Sequence, residues 1–333
     1  MIVNNLNSFW VLFFSFTLTL VSIWSILHFK LLPKILDTPN KRSLHKVSKP
    51  RTGGIVFMLI ILLMWLLSGI NSLEYLLISI IGFMTISFLD DLRNISAGVR
   101  FIFHIIFTSF FVLSLDINLN LFYFMLVTFS LVWMSNLFNF MDGSDGIAAG
   151  MAVIGFLAYG ITAYIAGDES FALKNGIIVM CTLSFLLFNF SPSKIFMGDV
   201  GSISLGFLSG AMGIIGWQKE LWALWFPLLI FSPFIIDATT TLLKRLSRKE
   251  KFWKAHRDHY YQRLILLGWS HKKTALISYL VMICVSLISL YINYLNDYKS
   301  ILIIIFLGYF LTMIYIDIIW KNYLLNNKGT NNR

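Results

Sequence analysis

The chain has 333 residues, 58% of them apolar and only 13% charged, with a mean hydropathy of +0.78. That is too greasy for an ordinary soluble domain and reads as a protein that crosses a membrane many times. A net charge of +10 would suit a nucleic-acid binder, but the basic residues lie beside apolar runs, where anionic lipid head groups would meet them; composition therefore points to membrane lipids and away from nucleic acid.

Apolar runs long enough to cross about 30 Å of hydrocarbon recur at roughly 9–33, 53–70, 73–89, 100–118, 120–138, 147–166, 171–190, 203–218, 222–243, 273–295 and 299–320. The expected fold is all-α, a single multi-pass membrane domain over 1–333 with ten or eleven transmembrane helices. Several runs fall short of about 20 residues, so one or two are expected to be broken, re-entrant or pressed against protein. The first run follows Met1 to Ser8, which carry no Lys or Arg, and no small-residue cleavage site follows it. It is expected to stay as a helix rather than serve as a signal peptide. Placing the N-terminus outside and alternating the spans leaves only Lys174, Lys219 and Lys299 of the 26 basic residues on the outer side, the asymmetry that marks the other side as cytoplasmic. Cys181 and Cys284 fall inside predicted spans with no CxxC pair, which indicates neither a disulfide framework nor a zinc site.

The informative loops, 34–52, 90–100, 136–146, 189–203 and 244–273, all belong to that cytoplasmic side. The first carries Asp37, His45 and the stretch Pro50-Arg51-Thr-Gly-Gly54. Asp90 and Asp91 end the third span, with Arg93 and Arg100 behind them. Two adjacent carboxylates repel each other beside a bilayer and need a cation or a raised pKa, as a general base or a pair near a metal would; a solvated helix end is the plainer reading. In Asn136-Leu-Phe-Asn139-Phe-Met-Asp142-Gly-Ser-Asp145-Gly146, the spacing by three puts Asn136, Asn139 and Asp142 on one helical face, and the glycines permit a tight turn with exposed N–H groups. That suits a metal and a phosphate better than a plain Asp-Gly turn does.

Asn189-Phe-Ser-Pro-Ser-Lys194-Ile-Phe-Met-Gly-Asp199-Val-Gly-Ser202 places a hard oxygen ligand, Asp199, between glycines where a phosphate-bound Mg²⁺ can approach the backbone; a helix cap would use the same residue. Asp237 lies within a span two turns before Lys244, either as a functional intramembrane carboxylate or as a structural partner of Lys244 or Arg245. The basic stretch with His256, Arg257, His259 and Arg263 has Trp253, Tyr260, Leu264 and Leu267 at helical spacing. It predicts an amphipathic helix on anionic lipid in which His256, His259 and Arg263 share a face able to clamp a diphosphate. His104, inside the fourth span, reads most simply as packing.

Asp90, Asp91, Asp142, Asp145 and Asp199 brought together without neutralisation would repel strongly. A divalent cation resolves this, and oxygen-only ligands favour Mg²⁺, with Mn²⁺ as the second choice, over zinc. The combination of Asp90-Asp91, the Asn139 to Gly146 motif, Phe196-Met-Gly-Asp199-x-Gly-Ser202 and the late His/Arg loop resembles the polyprenyl-phosphate N-acetylhexosamine-1-phosphate transferases, the superfamily of MraY and WecA, over roughly residues 34–265. The resemblance implies a UDP-N-acetylhexosamine donor, undecaprenyl phosphate as acceptor, Mg²⁺, and release of UMP at the cytoplasmic face of a bacterial inner membrane. By motif it implies Asn139 and Asp199 as metal ligands, Asp90 or Asp91 at the lipid phosphate, and Asp142, Asp145 and Asn189 on the nucleotide side. Asn136 and Lys194 join the substrate-binding set, and His256, Arg257, His259 and Arg263 hold the diphosphate or sugar.

Two departures from the peptidoglycan branch stand out: Arg93 follows the paired Asp where that branch has a lysine, and no compact histidine triplet follows His256. The sequence resembles more closely the branch that starts O-antigen or other surface polysaccharides. The sugar is then N-acetylglucosamine, N-acetylgalactosamine, N-acetylfucosamine or N-acetylquinovosamine, and the reading leaves a homodimer open. A transporter or lipid-linked-sugar flippase would also place charges in a helical bundle, but it predicts pseudo-symmetric halves and midplane carboxylates, of which only Asp237 is a candidate. A non-catalytic scaffold leaves the acidic motifs unexplained.

Overall fold

The computed structural model describes residues 8–30, 36–37, 48–69, 74–93, 95–115, 120–251, 256–293 and 299–330. His45, most of the loop that carries it, and Trp253 lie outside the described residues. The helices run in chain order as α1 (Ser8–Phe29), α2 (Gly53–Leu67), α3 (Glu74–Arg93), α4 (Ala97–Leu113), α5 (Leu121–Met141), α6 (Ile147–Ile165), α7 (Glu169–Asn189), α8 (Gly198–Gln218), α9 (Trp225–Ile230), α10 (Ser232–Ser247), α11 (Tyr260–Leu266), α12 (His271–Ile292) and α13 (Lys299–Thr330). Between α1 and α2, two short strands, β1 (Leu36–Asp37) and β2 (Lys49–Pro50), pair antiparallel with Leu36 opposite Pro50 and Asp37 opposite Lys49.

Eight helices, α1, α3, α5, α6, α7, α8, α12 and α13, are long and apolar enough to cross a membrane, and α2 and α4 are shorter apolar helices. The chain is an all-α, multi-pass membrane protein. The expected span at 222–243 is the broken one: it divides into α9 and α10 at Phe231. The cause is Pro233 in the first turn of α10, which has no N–H to donate to the carbonyl of Leu229 and so cannot carry one helix through.

Among the described helices α8 is the most deeply enclosed of the long spans, packed by α2, α3, α5 and α6. Its glycines and serines let neighbouring backbones come close, the usual basis of tight helix contact where lipid gives no hydrophobic drive between helices. The closest approach is to α2. A methyl group on Gly54 would lie 2.2 Å from the Met197 carbonyl oxygen and 2.4 Å from the Gly201 nitrogen. Backbone hydrogen bonds join the same strip: Phe196 N donates to Pro50 O at 2.8 Å, Gly53 N to Phe196 O at 3.1 Å and Gly54 N to Met197 O at 3.0 Å. The strand–helix junction at 49–54 is thereby stitched to the start of α8. Core side chains such as Phe57, Phe83, Phe138, Phe185 and Phe207 fill the interior, whereas α13 presents apolar side chains outward.

Replacing Gly54 with Ala is expected to cost about 1–3 kcal/mol by overpacking and to lower the melting midpoint of the detergent-solubilised protein. A variant that melts with the wild type would contradict this close approach.

Candidate active site

The ends of α3, α5 and α7 and the starts of α2, α4, α8 and α12 gather at one end of the bundle, and the predicted motifs meet there. The tight turn before α8 depends on Gly198, whose φ of +65° costs other residues strain; a Cβ there would also sit 2.7 Å from the Arg51 carbonyl oxygen and 3.4 Å from Asp91 Oδ2. The next residue, Asp199, accepts from Asn139 Nδ2 at 2.9 Å and from Arg100 Nη1 at 3.1 Å. Arg100 also donates to Asp90 Oδ2 at 2.5 Å, and Asn139 Nδ2 donates to Ser202 Oγ at 3.0 Å. One guanidinium thus bridges α3 and α8, and one amide bridges α5 and α8. Beside them Arg51 donates to Asp37 at 2.7 Å and lies 3.9 Å from Asp91 Oδ1. Asp91 is nearly buried, and its Oδ2 has no hydrogen-bond partner among the described residues.

Charge compensation in this cluster therefore comes in part from Arg100, already placed behind the acidic pair by the sequence, and from Arg51.

The Asp142–Asp145 turn is held from several sides. Asp145 accepts from Ser193 Oγ at 2.7 Å and Ser193 N at 3.1 Å. Lys49 donates to the same Ser193 hydroxyl at 2.7 Å and lies over the Phe196 ring at 4.9 Å. Asn189, only 2% exposed, accepts from Gly146 N at 3.1 Å and donates to Ile195 O at 2.9 Å. Tyr261 Oη donates to Phe140 O at 3.0 Å and accepts from Gly143 N at 3.1 Å, and Ser144 Oγ pairs with His271 Nδ1 at 2.8 Å. By contrast the Asp142 carboxylate accepts no hydrogen bond among the described residues. Burial, and after it the nearby Asp199 carboxylate, hold the Asp142 carboxyl well above the usual carboxylate range, with Arg51 offsetting only part of this. Its charged form is short of positive charge.

The basic loop differs from the expected amphipathic helix. Among its described residues from 256 to 270 only α11 is helical, and it begins at Tyr260 because Asp237 caps it: Oδ1 accepts from Tyr260 N at 3.0 Å and Oδ2 from Tyr261 N at 3.1 Å. The same carboxylate holds His259 Nδ1 at 3.2 Å. This decides between the two readings of Asp237. It is structural, through His259 and the helix N-terminus, while Lys244 pairs with Asp317 and Arg245 with Asp258. The His259 ring lies 6.0 Å from Phe140 and 4.9 Å from His256, so His259 borders the acidic turn with His256 behind it.

Burial, with the His259 ring and Arg245 nearby, pushes the His256 imidazole down to about 4. Its Nδ1 accepts from Asp258 N at 3.3 Å, as a neutral ring would.

Of the predicted residues, Asp90, Asp91, Asn139, Asp142, Asp145 and Asp199 converge, with His256 and His259 at the edge. Arg263 does not share their face: it donates to Asp317 Oδ1 on α13 at 2.8 Å and is almost wholly buried, with Tyr260 5.1 Å away. Asn136 spends its amide on Val132 O at 2.7 Å within α5. Lys194 is exposed and Arg257 half-buried. Sequence reasoning left out Lys49, Arg51, Ser193 and Tyr261. Only Arg51 carried a signal, a cation next to a glycine pair in a loop already marked.

Among the described residues no three His, Cys, Asp or Glu side chains are arranged to hold an ion by themselves. The oxygens present still fit a hard cation: Asp91 Oδ2 is a buried acceptor without a partner, and Asp142 and Asp199 lie close by. Mg²⁺ commonly takes one or two protein carboxylates and completes its shell with phosphate oxygens and water.

Asp145→Ala is expected to lower the melting midpoint by several degrees, because it strands the Ser193 N–H and hydroxyl, whereas Asp142→Asn should melt with the wild type; the reverse order would exchange their roles. For His256, a folded-state pKa of about 4 lies below the unfolded value of about 6.5. The unfolded chain then binds the extra proton between these values, so this group's stabilisation is complete above pH 6.5 and is lost as pH falls toward 4. His256→Asn should flatten that part of the melting profile, and an unchanged acid slope would count against it.

The family model described as glycosyl transferase family 4 matches residues 72–217, the stretch that holds Asp90, Asp91, the Asn139–Asp145 motif and Asp199. A probable undecaprenyl-phosphate N-acetylglucosaminyl 1-phosphate transferase of Bacillus subtilis is 28% identical over 298 residues, covering 84% of this chain and 83% of the relative. Phospho-N-acetylmuramoyl-pentapeptide-transferases are similarly related: that of Staphylococcus saprophyticus is 29% identical over 85% of this chain and 97% of its own length, and one of Staphylococcus aureus is 28% identical over 84% and 96%. With the matched motifs assembled at one end of the bundle, the family model and the relatives together support placing the chain in the superfamily of polyprenyl-phosphate sugar-1-phosphate transferases.

Proposed function

We propose that this protein transfers an N-acetylhexosamine 1-phosphate from a UDP-sugar to undecaprenyl phosphate, releasing UMP, as the initiating step of O-antigen or another surface polysaccharide. The observation that carries the reading is the seat in which Asp90, Asp91, Asp142 and Asp199 face two arginines, Arg51 and Arg100, at one end of a membrane bundle. Carboxylates for a cation and guanidiniums for phosphate oxygens are what a transfer between two phosphates requires. The relatives' names supply the substrate class, a lipid phosphate and an acetamido sugar. The excess of Lys and Arg at this end supports a cytoplasmic site in a bacterial inner membrane with the N-terminus outside.

An acceptor phosphate oxygen attacks the β-phosphorus of the UDP-sugar, the bond to the α-phosphate oxygen breaks, and UMP leaves with the electron pair. The acceptor is already anionic at neutral pH, so direct attack needs no prior proton removal. Arg51 and Arg100 neutralise and orient the phosphates, and Asp90 or Asp91 positions the acceptor. The Asp142–Asp145 turn, fastened through Ser193, Asn189 and Tyr261, presents the nucleotide side, and His256 and His259 border the diphosphate as hydrogen-bonding groups. Asp199, with the Asn139 carbonyl oxygen, would hold Mg²⁺, and Mn²⁺ has the same ligand taste. When bound, the ion would neutralise charge on the diphosphate and on departing UMP. Asp237, the one candidate for a midplane carboxylate, caps α11 instead, which removes the feature that favoured a transporter.

Purified protein incubated with undecaprenyl phosphate, Mg²⁺ and a panel of UDP-N-acetylhexosamines should yield UMP and a lipid-linked sugar phosphate with at least one donor. No product from any donor would overturn the proposal. Asp199→Asn should reduce turnover by about 100-fold or more while the protein keeps its wild-type elution and melting; full activity at ordinary Mg²⁺ would remove Asp199 from the metal site.

A further inference from the structure

Beneath the carboxylates, the seam between α3, α4 and α8 holds polar side chains that no protein group satisfies. Ser87 Oγ on α3, both ring nitrogens of His104 and Thr108 Oγ1 on α4, and Ser204 Oγ on α8 are all buried and without a hydrogen-bond partner among the described residues. Their residues are at most 3% exposed.

Contacts along the helices place these groups within about two turns of one another. Between α3 and α4 the pairs are Tyr75 with Phe110 (rings 5.1 Å apart), Ser79 Oγ with Phe107 O (2.8 Å), Phe83 with His104 (rings 5.0 Å) and Asp90 with Arg100 (2.5 Å). That antiparallel register brings Ser87 level with the turn between Arg100 and His104. Between α4 and α8 the pairs are Arg100 with Asp199 (3.1 Å) and Phe111 with Phe207 (rings 5.5 Å), which puts Ser204 level with His104 and Thr108. One turn above Ser87, on the same face of α3, lies the unpartnered Asp91 Oδ2.

Packing against Phe83 accounts for the shape of the His104 ring but not for four polar residues from three helices lying within about two turns of one another. A neutral imidazole carries one donor and one acceptor, and a membrane protein interior offers no bulk water to meet them. A buried polar site with several such groups is where ordered water binds, each molecule making about three hydrogen bonds. We infer that this seam is an internal water-binding site centred on His104, extending through Ser87 to Asp91 Oδ2. Residues one helical turn apart, with Cβ atoms about 5–6 Å from each other, are at the right span for a single bridging water. His104 is then a positioning residue: by way of water and the Ser87 hydroxyl, one turn at a time, it fixes the carboxylate of Asp91. This second step rests on the proposed transferase activity, whereas the water site does not.

Hydroxyl-radical footprinting of the wild-type protein in lipid bilayers, with radicals generated from bound water by X-rays and read by mass spectrometry, tests the site without turnover. His104 should be oxidised several-fold faster than Phe156 and Phe185, which are fully buried but away from the seam. Equal, slow labelling of all three would overturn the inference whatever the activity assay shows. If the site is confirmed, His104→Leu should lower kcat about tenfold with KM for the UDP-sugar unchanged, and His104→Gln, which can still bond water, should recover most of it. An unchanged kcat in the Leu variant, or equal losses in both variants, would overturn the positioning role.

Discussion

Arg100 lies between two carboxylates supplied by helices remote in sequence, Asp90 on α3 and Asp199 on α8. At about 4 Å and an effective dielectric of about 20, two like charges repel by about 4 kcal/mol, so an acid at the end of α3 beside one at the start of α8 carries a cost that the guanidinium offsets. Arg51 acts in the same way for Asp37 and Asp91 and is delivered by the strand that hydrogen-bonds to the start of α8. Close approach of small residues and pairing of opposite charges thus reinforce each other: Gly54 and Gly201 let the backbones touch, and the arginines make the acids tolerable once they do. Two arginines among this many carboxylates leave the seat short of positive charge, and the raised pKa of Asp142 is the visible sign.

The motif side chains separate into two kinds. The carboxylates of Asp145 and Asp237 and the amide of Asn189 are used up: each satisfies backbone N–H groups of a loop that would otherwise be unpaired near the membrane. Asp142 and one oxygen of Asp91 are not. Rigidity in the first set makes reactivity in the second usable, since a carboxylate short of hydrogen bonds keeps its place only if the chain around it is fastened. The turn from Asn139 to Gly146 shows this most fully, anchored by Tyr261, His271, Ser193 and Asn189 while Asp142 stays available.

Most of the fold was legible because hydropathy in a bilayer is a coarse signal with a fixed length scale. Each predicted run corresponds to a helix, and the run that broke did so at a proline visible in the sequence. The acidic cluster was legible because its residues lie at span ends on one side. Hydrogen-bond partners were not. Nothing in the spacing of Asp237 says that it caps a helix starting 23 residues later, and Arg263 looks like a substrate clamp until Asp317, itself inside an apolar run, is seen beside it. Spacing within a helix predicts a face. It does not say which distant element that face will meet.

The Asp317 contacts also bear on biogenesis. Lys244, Tyr260 and Arg263 all converge on this carboxylate, which is synthesised 54 residues after Arg263. Until α13 is threaded into the bilayer, the guanidinium of Arg263 has no counter-ion in its nearly sealed position, and the segment carrying His256 and His259 lacks its latch. Docking of α13 and settling of the loop beside the acidic turn are therefore one event: the carboxylate that neutralises Arg263 arrives on a different helix, and neither the sealed guanidinium nor the segment behind it is stable without it.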